Sequence, residues 1–190
     1  MDIKFPCSMI VTGKTKSGKT YFTRALMHKS QKEFDYIIIY SSTADISGDF
    51  DDFNKKYNRK TIIINDETMF INMLNDESFN ESVLNNKKIR KLIVIDDFIG
   101  FIDLHRNKKF DSLASRGRHL NISVIYLTQH IFCLTPCIRL NSDYIFVTKT
   151  SDNNIKQLYD LSCGFDSKDD LKRKMEEYRI IEITTPYLIK

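Results

Sequence analysis

Residues Gly13-Lys-Thr-Lys-Ser-Gly-Lys-Thr20 form an unbroken G-x-x-x-x-G-K-[ST] pattern. The chemistry open to such an octet is the holding of a polyphosphate. Its glycines let the backbone curl, so that successive N–H groups of Gly13, Lys14, Thr15, Lys16, Ser17 and Gly18 and the start of a following helix face the phosphates. The Lys19 ammonium then reaches the β and γ oxygens, and the Thr20 hydroxyl is a ligand for Mg²⁺. An apolar run, Cys7 to Val11, precedes the octet and a helix-compatible stretch, Tyr21 to His28, follows it. A nucleoside triphosphate site needs that strand–loop–helix setting, whereas a Gly/Ser-rich turn does not.

Two more strand ends carry chemistry. Lys91-Leu-Ile-Val-Ile-Asp-Asp97 is an apolar strand that delivers adjacent carboxylates at its carboxyl end, where open parallel sheets place ligands. It reads as a Walker B segment, with Asp96 in the Mg²⁺ shell and Asp97 the candidate to polarise the water that attacks the γ-phosphate. Helix capping by Asp is the alternative, and the intact phosphate loop weighs against it. Asn121-Ile-Ser-Val-Ile-Tyr-Leu-Thr-Gln129 is a second buried-strand pattern, ending in an amide. The Gln129 carboxamide can donate to a phosphate and accept from water at once, which suits a γ-phosphate sensor better than a residue that merely opens a loop. Ser115-Arg-Gly-Arg-His119 sets Arg116 and Arg118 just ahead of that strand, where they are expected close to the nucleotide edge. One of them would be an arginine finger or a DNA contact; solvated loop arginines are the plain alternative.

The elements that must position these groups alternate in type. Strands are expected at Met9–Thr12, Tyr36–Tyr40, Thr61–Asn65, Leu92–Ile95, Ser123–Thr128 and Tyr144–Val147, with a last one at Ile180–Thr184. Helices are expected at Lys19–Ser30, Glu67–Asn85, Lys108–Ser115, Asn153–Leu161 and Ser167–Tyr178. Residues 41–60 form a polar excursion with room for a short helix. Such alternation predicts an α/β fold, a mainly parallel central sheet with helices on both faces. The 190 residues suffice for one such P-loop domain, residues 1–190, and no linker or repeat divides them.

Composition bounds the rest. Against 25 acidic side chains stand 29 basic ones, a net +4 that is compatible with a polyanionic partner without demanding one. The four cysteines, Cys7, Cys133, Cys137 and Cys163, make no C-x-x-C pair and read as thiols of a reducing compartment. His130 beside Cys133 and Cys137 is a weak metal motif and is set aside. No leader pattern opens the chain and no segment reaches membrane-spanning length, so a soluble intracellular protein is expected.

The order of motifs resembles a known family. The phosphate loop, Ile95-Asp-Asp97, Arg118-His119, the Gln129-terminated strand and Pro136-Cys-Ile-Arg-Leu-Asn-Ser-Asp-Tyr144 together are similar to the poxvirus-type viral DNA-packaging ATPases of the FtsK-HerA superfamily, over most of the chain. The resemblance implies a P-loop NTPase fold of the RecA-like motor type, and an ATP- and Mg²⁺-dependent ATPase whose homo-oligomeric rings pump double-stranded DNA, independent of sequence, into a preformed capsid through a capsid or portal vertex protein. It also implies action in the host cytoplasm or viral factory, with virion association left open. Many related motors carry a glutamate where this chain has the Asp96-Asp97 pair. Arg139 and Asn141 are expected to support the nucleotide or the subunit interface, and Arg139 joins Arg116 and Arg118 as a finger candidate. Other readings are another P-loop ATPase or helicase-like motor, a small nucleotide kinase, for which no Arg-rich lid is found between Gln129 and Ser142, and a regulatory DNA-binding protein with a degenerate nucleotide site, against which the intact Lys19, Thr20 and Asp96 argue. Basic clusters occur at Lys87, Lys88, Arg90 and Lys91, at Arg106, Lys108 and Lys109, and at Lys168, Lys172, Arg173 and Lys174; solvated helix faces explain them equally well. The mixed aromatic and basic segment Phe98–Lys109 is the one expected near a ring pore.

Overall fold

The computed structural model describes residues 3–56, 60–96, 108–162, 164–178 and 180–183. Short runs of β-branched and aromatic residues form seven strands: β1 (Ser8–Thr12), β2 (Tyr36–Ser41), β3 (Lys60–Ile64), β4 (Lys91–Asp96), β5 (Ile122–Thr128), β6 (Tyr144–Val147) and β7 (Ile181–Ile183). They make one sheet in the order β3-β2-β4-β5-β1-β6-β7. The first six pair in parallel, and β7 pairs with β6 in the antiparallel sense. β5 thus lies between the strand that leads into the phosphate loop and the strand that carries Asp96.

The strands are near-continuous apolar runs because both faces of the sheet are covered. Side chains alternate across it: Ile10, Ile38, Ile93, Val124 and Tyr126 join one buried cluster, while Met9, Val11, Ile39, Val94 and Leu127 join the other. Helix α1 (Lys19–Lys29), through Met27, and α3 (Asp51–Lys56), through Phe53, cover the second cluster. On the first face pack α4 (Glu67–Asn75), α6 (Lys108–Arg116), α7 (Pro136–Leu140), α8 (Asp152–Leu161) and α9 (Lys168–Glu177). Among the described residues no helix is long and apolar enough to cross a membrane.

Three sequence expectations are corrected. The polar excursion after β2 contains two short helices, α2 (Ala44–Ser47) and α3, separated by Gly48 at φ +61°. The single helix expected over 67–85 is broken at Asp76: its backbone turns extended and its carboxylate accepts from the Phe79 N–H at 2.6 Å, restarting the chain as α5 (Glu77–Phe79) and a π-helical turn, Asn80–Leu84. Capping geometry has overridden helical periodicity there.

Lys91, placed by sequence in a solvated basic cluster, is 0% exposed. Its Nζ donates to the carbonyls of Val83 at 3.2 Å, Leu84 at 3.0 Å and Asn86 at 2.7 Å, three acceptors at the end of the π-helical turn. An ammonium has three donors and all are used, while burial pushes its pKa down to about 8. Its neighbour Arg90 is held by Asp35, through NH2 at 2.8 Å and Nε at 3.1 Å. Lys91→Met should strand three carbonyls and lower stability by about 2–4 kcal/mol, read as a shifted urea midpoint at constant m.

Candidate functional site

The carboxyl ends of β1, β4, β5 and β6 share one edge of the sheet, and the phosphate loop closes over it. Gly13 N–H donates to the Thr128 carbonyl of β5 at 3.2 Å, and Lys14 N–H to the Lys149 carbonyl just beyond β6 at 2.9 Å. Lys16 at φ +59° and Gly18 at φ +95° are left-handed, the backbone that curls a loop into the concave form that binds anions. The expectation that every loop amide faces the phosphates is corrected, because the N–H groups of Gly13 and Lys14 are spent on these carbonyls and that of Ser17 on the Lys14 carbonyl at 3.2 Å. A non-glycine residue in that region costs on the order of 1 kcal/mol, so Lys16 is held there by the rest of the loop. α1 starts directly after Gly18, adding its N-terminal dipole.

Lys19 Nζ donates to the Gly13 and Lys14 carbonyls of the same loop, at 2.8 and 3.1 Å. The ammonium therefore lies across the mouth of the amide cradle. The loop's concavity, its left-handed amides and this cation fit the phosphates of a nucleoside triphosphate. For the metal, the donor set is oxygen only, as Mg²⁺ requires: the half-buried Thr20 hydroxyl and the Asp96 carboxylate, 9% exposed at the end of β4. Asp96 is in register with Ser41 of β2. Only β5 separates β4 from β1, so their backbones run roughly 10 Å apart. Asp97 lies outside the described residues.

Gln129 follows β5 and faces the loop, its Oε1 accepting from Thr15 Oγ1 at 3.1 Å. Sequence brought these two residues to one edge, and the structure brings them into contact. Residues that carried no motif support them. Thr148, 1% exposed at the end of β6, contacts Ser17 Oγ at 2.5 Å and donates to the Thr12 carbonyl at 3.2 Å. Asn154, in the first turn of α8, reaches the Gln129 carbonyl. A polar residue just past a strand end was the available signal for Thr148; Asn154, inside α8, carried none.

The arginines divide. Arg116 and Arg118 lie before β5, at the opposite end of the sheet from the phosphate loop, so the expectation that they flank the nucleotide edge is corrected. The physical reason is that β5 is parallel to β1 and both carry their ligand-facing atoms at their carboxyl ends. Arg118 pairs with Asp143, which in turn accepts from Ser8 N–H at 2.9 Å, at the amino ends of β6 and β1. Next to that pair the buried Cys7 thiol is pushed up to about 12 by burial and by the Asp143 charge. Arg139, on α7, is tied to the connection that follows β5: its NH1 donates to the Leu134 carbonyl and its guanidinium lies 4.5 Å from the centroid of the Phe132 ring, three residues past Gln129. Burial lowers the Arg139 pKa below its usual value. Asn141 is absorbed by its own helix, its Nδ2 donating to the Cys137 carbonyl at 2.8 Å. The motif around it is largely helix punctuation, with Thr135 as N-cap, Pro136 in the first turn and Asn141 as C-cap.

The closest approach in the site is at Gly13, where a Cβ would fall 1.9 Å from Thr148 Oγ1 and 3.1 Å from the Lys149 carbonyl. Gly13→Ala should therefore distort the loop and weaken ATP binding about tenfold or more in titration calorimetry, and a second change, Thr148→Ala, should recover part of the loss.

Residues 3–184 match the family model described as Poxvirus A32 protein. No curated protein sequence matches significantly. The genome packaging NTPase B204 from Sulfolobus turreted icosahedral virus 2, in complex with ATP-gammaS, superposes with a TM-score of 0.65 at 16% identity, over 94% of this chain and 92% of that one. B204 described as the DNA-packaging ATPase from Sulfolobus Turreted Icosahedral Virus gives 0.61 at 17%, over 94% and 97%. The cytoplasmic domain of the Thermomonospora curvata Type VII Secretion ATPase EccC gives 0.64 at 14%, over 95% of this chain and 25% of that one. At these identities the structures establish a shared fold, and the family match, which spans nearly all of the sequence, establishes that the chain belongs to the poxvirus A32 protein family.

Proposed function

We propose that this protein is an ATP-hydrolysing motor that packages viral double-stranded DNA into a preformed capsid. The observation that carries the reading is the single sheet edge at which the phosphate loop, Asp96 and Gln129 converge, with the carboxamide of Gln129 against Thr15 of the loop. The loop amides and Lys19 bind the β and γ phosphates, Thr20 and Asp96 hold Mg²⁺, and the ion neutralises phosphate charge when bound. Asp97 accepts the proton of the attacking water. Gln129 orients that water while donating to the γ-phosphate, exchanging its contact with Thr15 for one with the nucleotide.

A kinase would share the loop but has no use for a strand-end amide aimed at it. DNA is engaged through its phosphates, as a motor indifferent to sequence requires. Of the basic clusters, α9 is a poor candidate: Lys172 pairs with Asp152, and Arg173 and Lys174 pair with Asp170. Lys108 and Lys109 are the better one by position, both exposed at the head of α6 and next to the mixed aromatic and basic segment; 98–107 itself lies outside the described residues. The domain is read as one unit that assembles into a homo-oligomeric ring and docks on a capsid vertex in the infected cell. Arg139 is the arginine best placed to reach a neighbour's γ-phosphate.

Lys19→Ala should lower ATP affinity about 10- to 100-fold in a folded protein. Wild-type affinity would put the nucleotide elsewhere. DNA binding should fall steeply with salt, at a log–log slope of about −5 or steeper, and show no base preference.

The finger is tested by mixing. Arg139→Ala should bind ATP normally and lose turnover by about 10³-fold or more, and adding Asp97→Asn subunits should restore part of it at mixed interfaces, measured as phosphate release. Wild-type turnover in Arg139→Ala would assign the finger to another residue.

A further inference from the structure

Asn154 is 7% exposed, and both polar atoms of its amide are hydrogen-bonded. Nδ2 donates to the Gln129 backbone carbonyl at 3.2 Å and to Thr150 Oγ1 at 2.9 Å. A carbonyl only accepts, so the Gln129 contact fixes which end of the amide faces it. Oδ1 is thereby turned to His130 Nδ1, 3.1 Å away, and that ring nitrogen must carry a hydrogen. The side chain thus grips two consecutive residues after β5, Gln129 and His130, and one residue of the connection leaving β6. That same connection holds the phosphate loop, through Lys149 to Lys14 and Thr148 to Ser17. A third tie closes the ring: Thr128 Oγ1 donates to the His130 carbonyl and accepts from its N–H.

We infer that Asn154 is a positioning residue for the γ-phosphate sensor. By fixing the Gln129 carbonyl, it sets the direction in which the Gln129 side chain leaves the backbone, and ties that direction to the strand end that holds the loop. The inference rests on the reading of Gln129 as the sensor. When the carboxamide leaves Thr15 for the nucleotide, its backbone stays clamped, so it arrives in one orientation rather than several. Errors on the order of 1 Å in such placement can cost about 100-fold in rate. Asn154 bonds to the Gln129 backbone, His130 and Thr150 and to no residue of the phosphate loop in these contacts, so ground-state affinity should be spared.

The test is Asn154→Asp. It is isosteric, keeps the acceptor facing His130, and places a carboxylate in the first turn of a helix, where it is favourable, so the protein folds. It loses both Nδ2 donations, to the Gln129 carbonyl and to Thr150 Oγ1. The Thr150 hydroxyl can turn and donate to the new carboxylate, whereas the Gln129 carbonyl can only accept and is left facing an oxygen. Steady-state ATP hydrolysis should show kcat reduced about tenfold or more with KM within threefold, a split that a general loss of structure would not give. In a Gln129→Ala background the same change should have no further effect. Wild-type kcat in Asn154→Asp, or effects that multiply in the double variant, would overturn the inference while leaving an impaired Gln129→Ala, and so the sensor, in place. Wild-type turnover in Gln129→Ala would instead overturn the sensor reading and the inference with it.

Discussion

The contact of Gly13 with the end of β6 constrains everything at this site. The loop can form its amide cradle only if its first residue lies flush against Thr148 and Lys149, and a side chain of any kind there would collide with them. The positions of β1, β5 and β6 in the sheet follow from that requirement, because the loop's backbone is bonded to the strands on both sides of the one it leaves. Phosphate recognition in this protein is thus a property of three adjacent strands and not of an octet alone. The buried polar groups there are mutually satisfied, which keeps them from being a liability in a dry environment.

The two faces of the sheet divide the labour. Helix α1 continues the phosphate loop and packs on the face shared with α3, to which it is also joined by His28 Nε2 and Asp52 at 2.7 Å. The sensor side is different: α6, α7 and α8 sit on the other face and receive the connections that leave β4, β5 and β6. On the proposed reading a γ-phosphate would bridge these layers, since Lys19 belongs to one and Gln129 opens onto the other.

Much of this was legible in the sequence. Six strand runs and the three motif ends stood out because burial on both faces makes parallel strands apolar throughout, and because glycines and strand-end carboxylates or amides have few other uses. What was not legible depended on direction and context. Arg116 and Arg118 are near Gln129 along the chain but at the far end of β5, a distinction that spacing does not carry. The break at Asp76 lies inside a helical period, where a carboxylate serves equally as a surface residue or a cap. Asn154 and Thr148 are single polar residues without a pattern, and their meaning comes from neighbours more than twenty residues or more than a hundred residues away in sequence. Lys91 is indistinguishable from its solvated neighbours until its three carbonyls are seen.

That lysine has a mechanical meaning. β4 is the rod that presents Asp96, and at its foot a charged group is seated in a socket of three fixed oxygens. Sliding the rod by even one residue along its axis, roughly 3.3 Å, would unseat all three bonds at once and expose an uncompensated charge to an apolar layer. Axial play in β4 is thereby suppressed. A displacement caused by a nucleotide would therefore not be passed along β4, which is fixed at its foot as a shaft is keyed to its block.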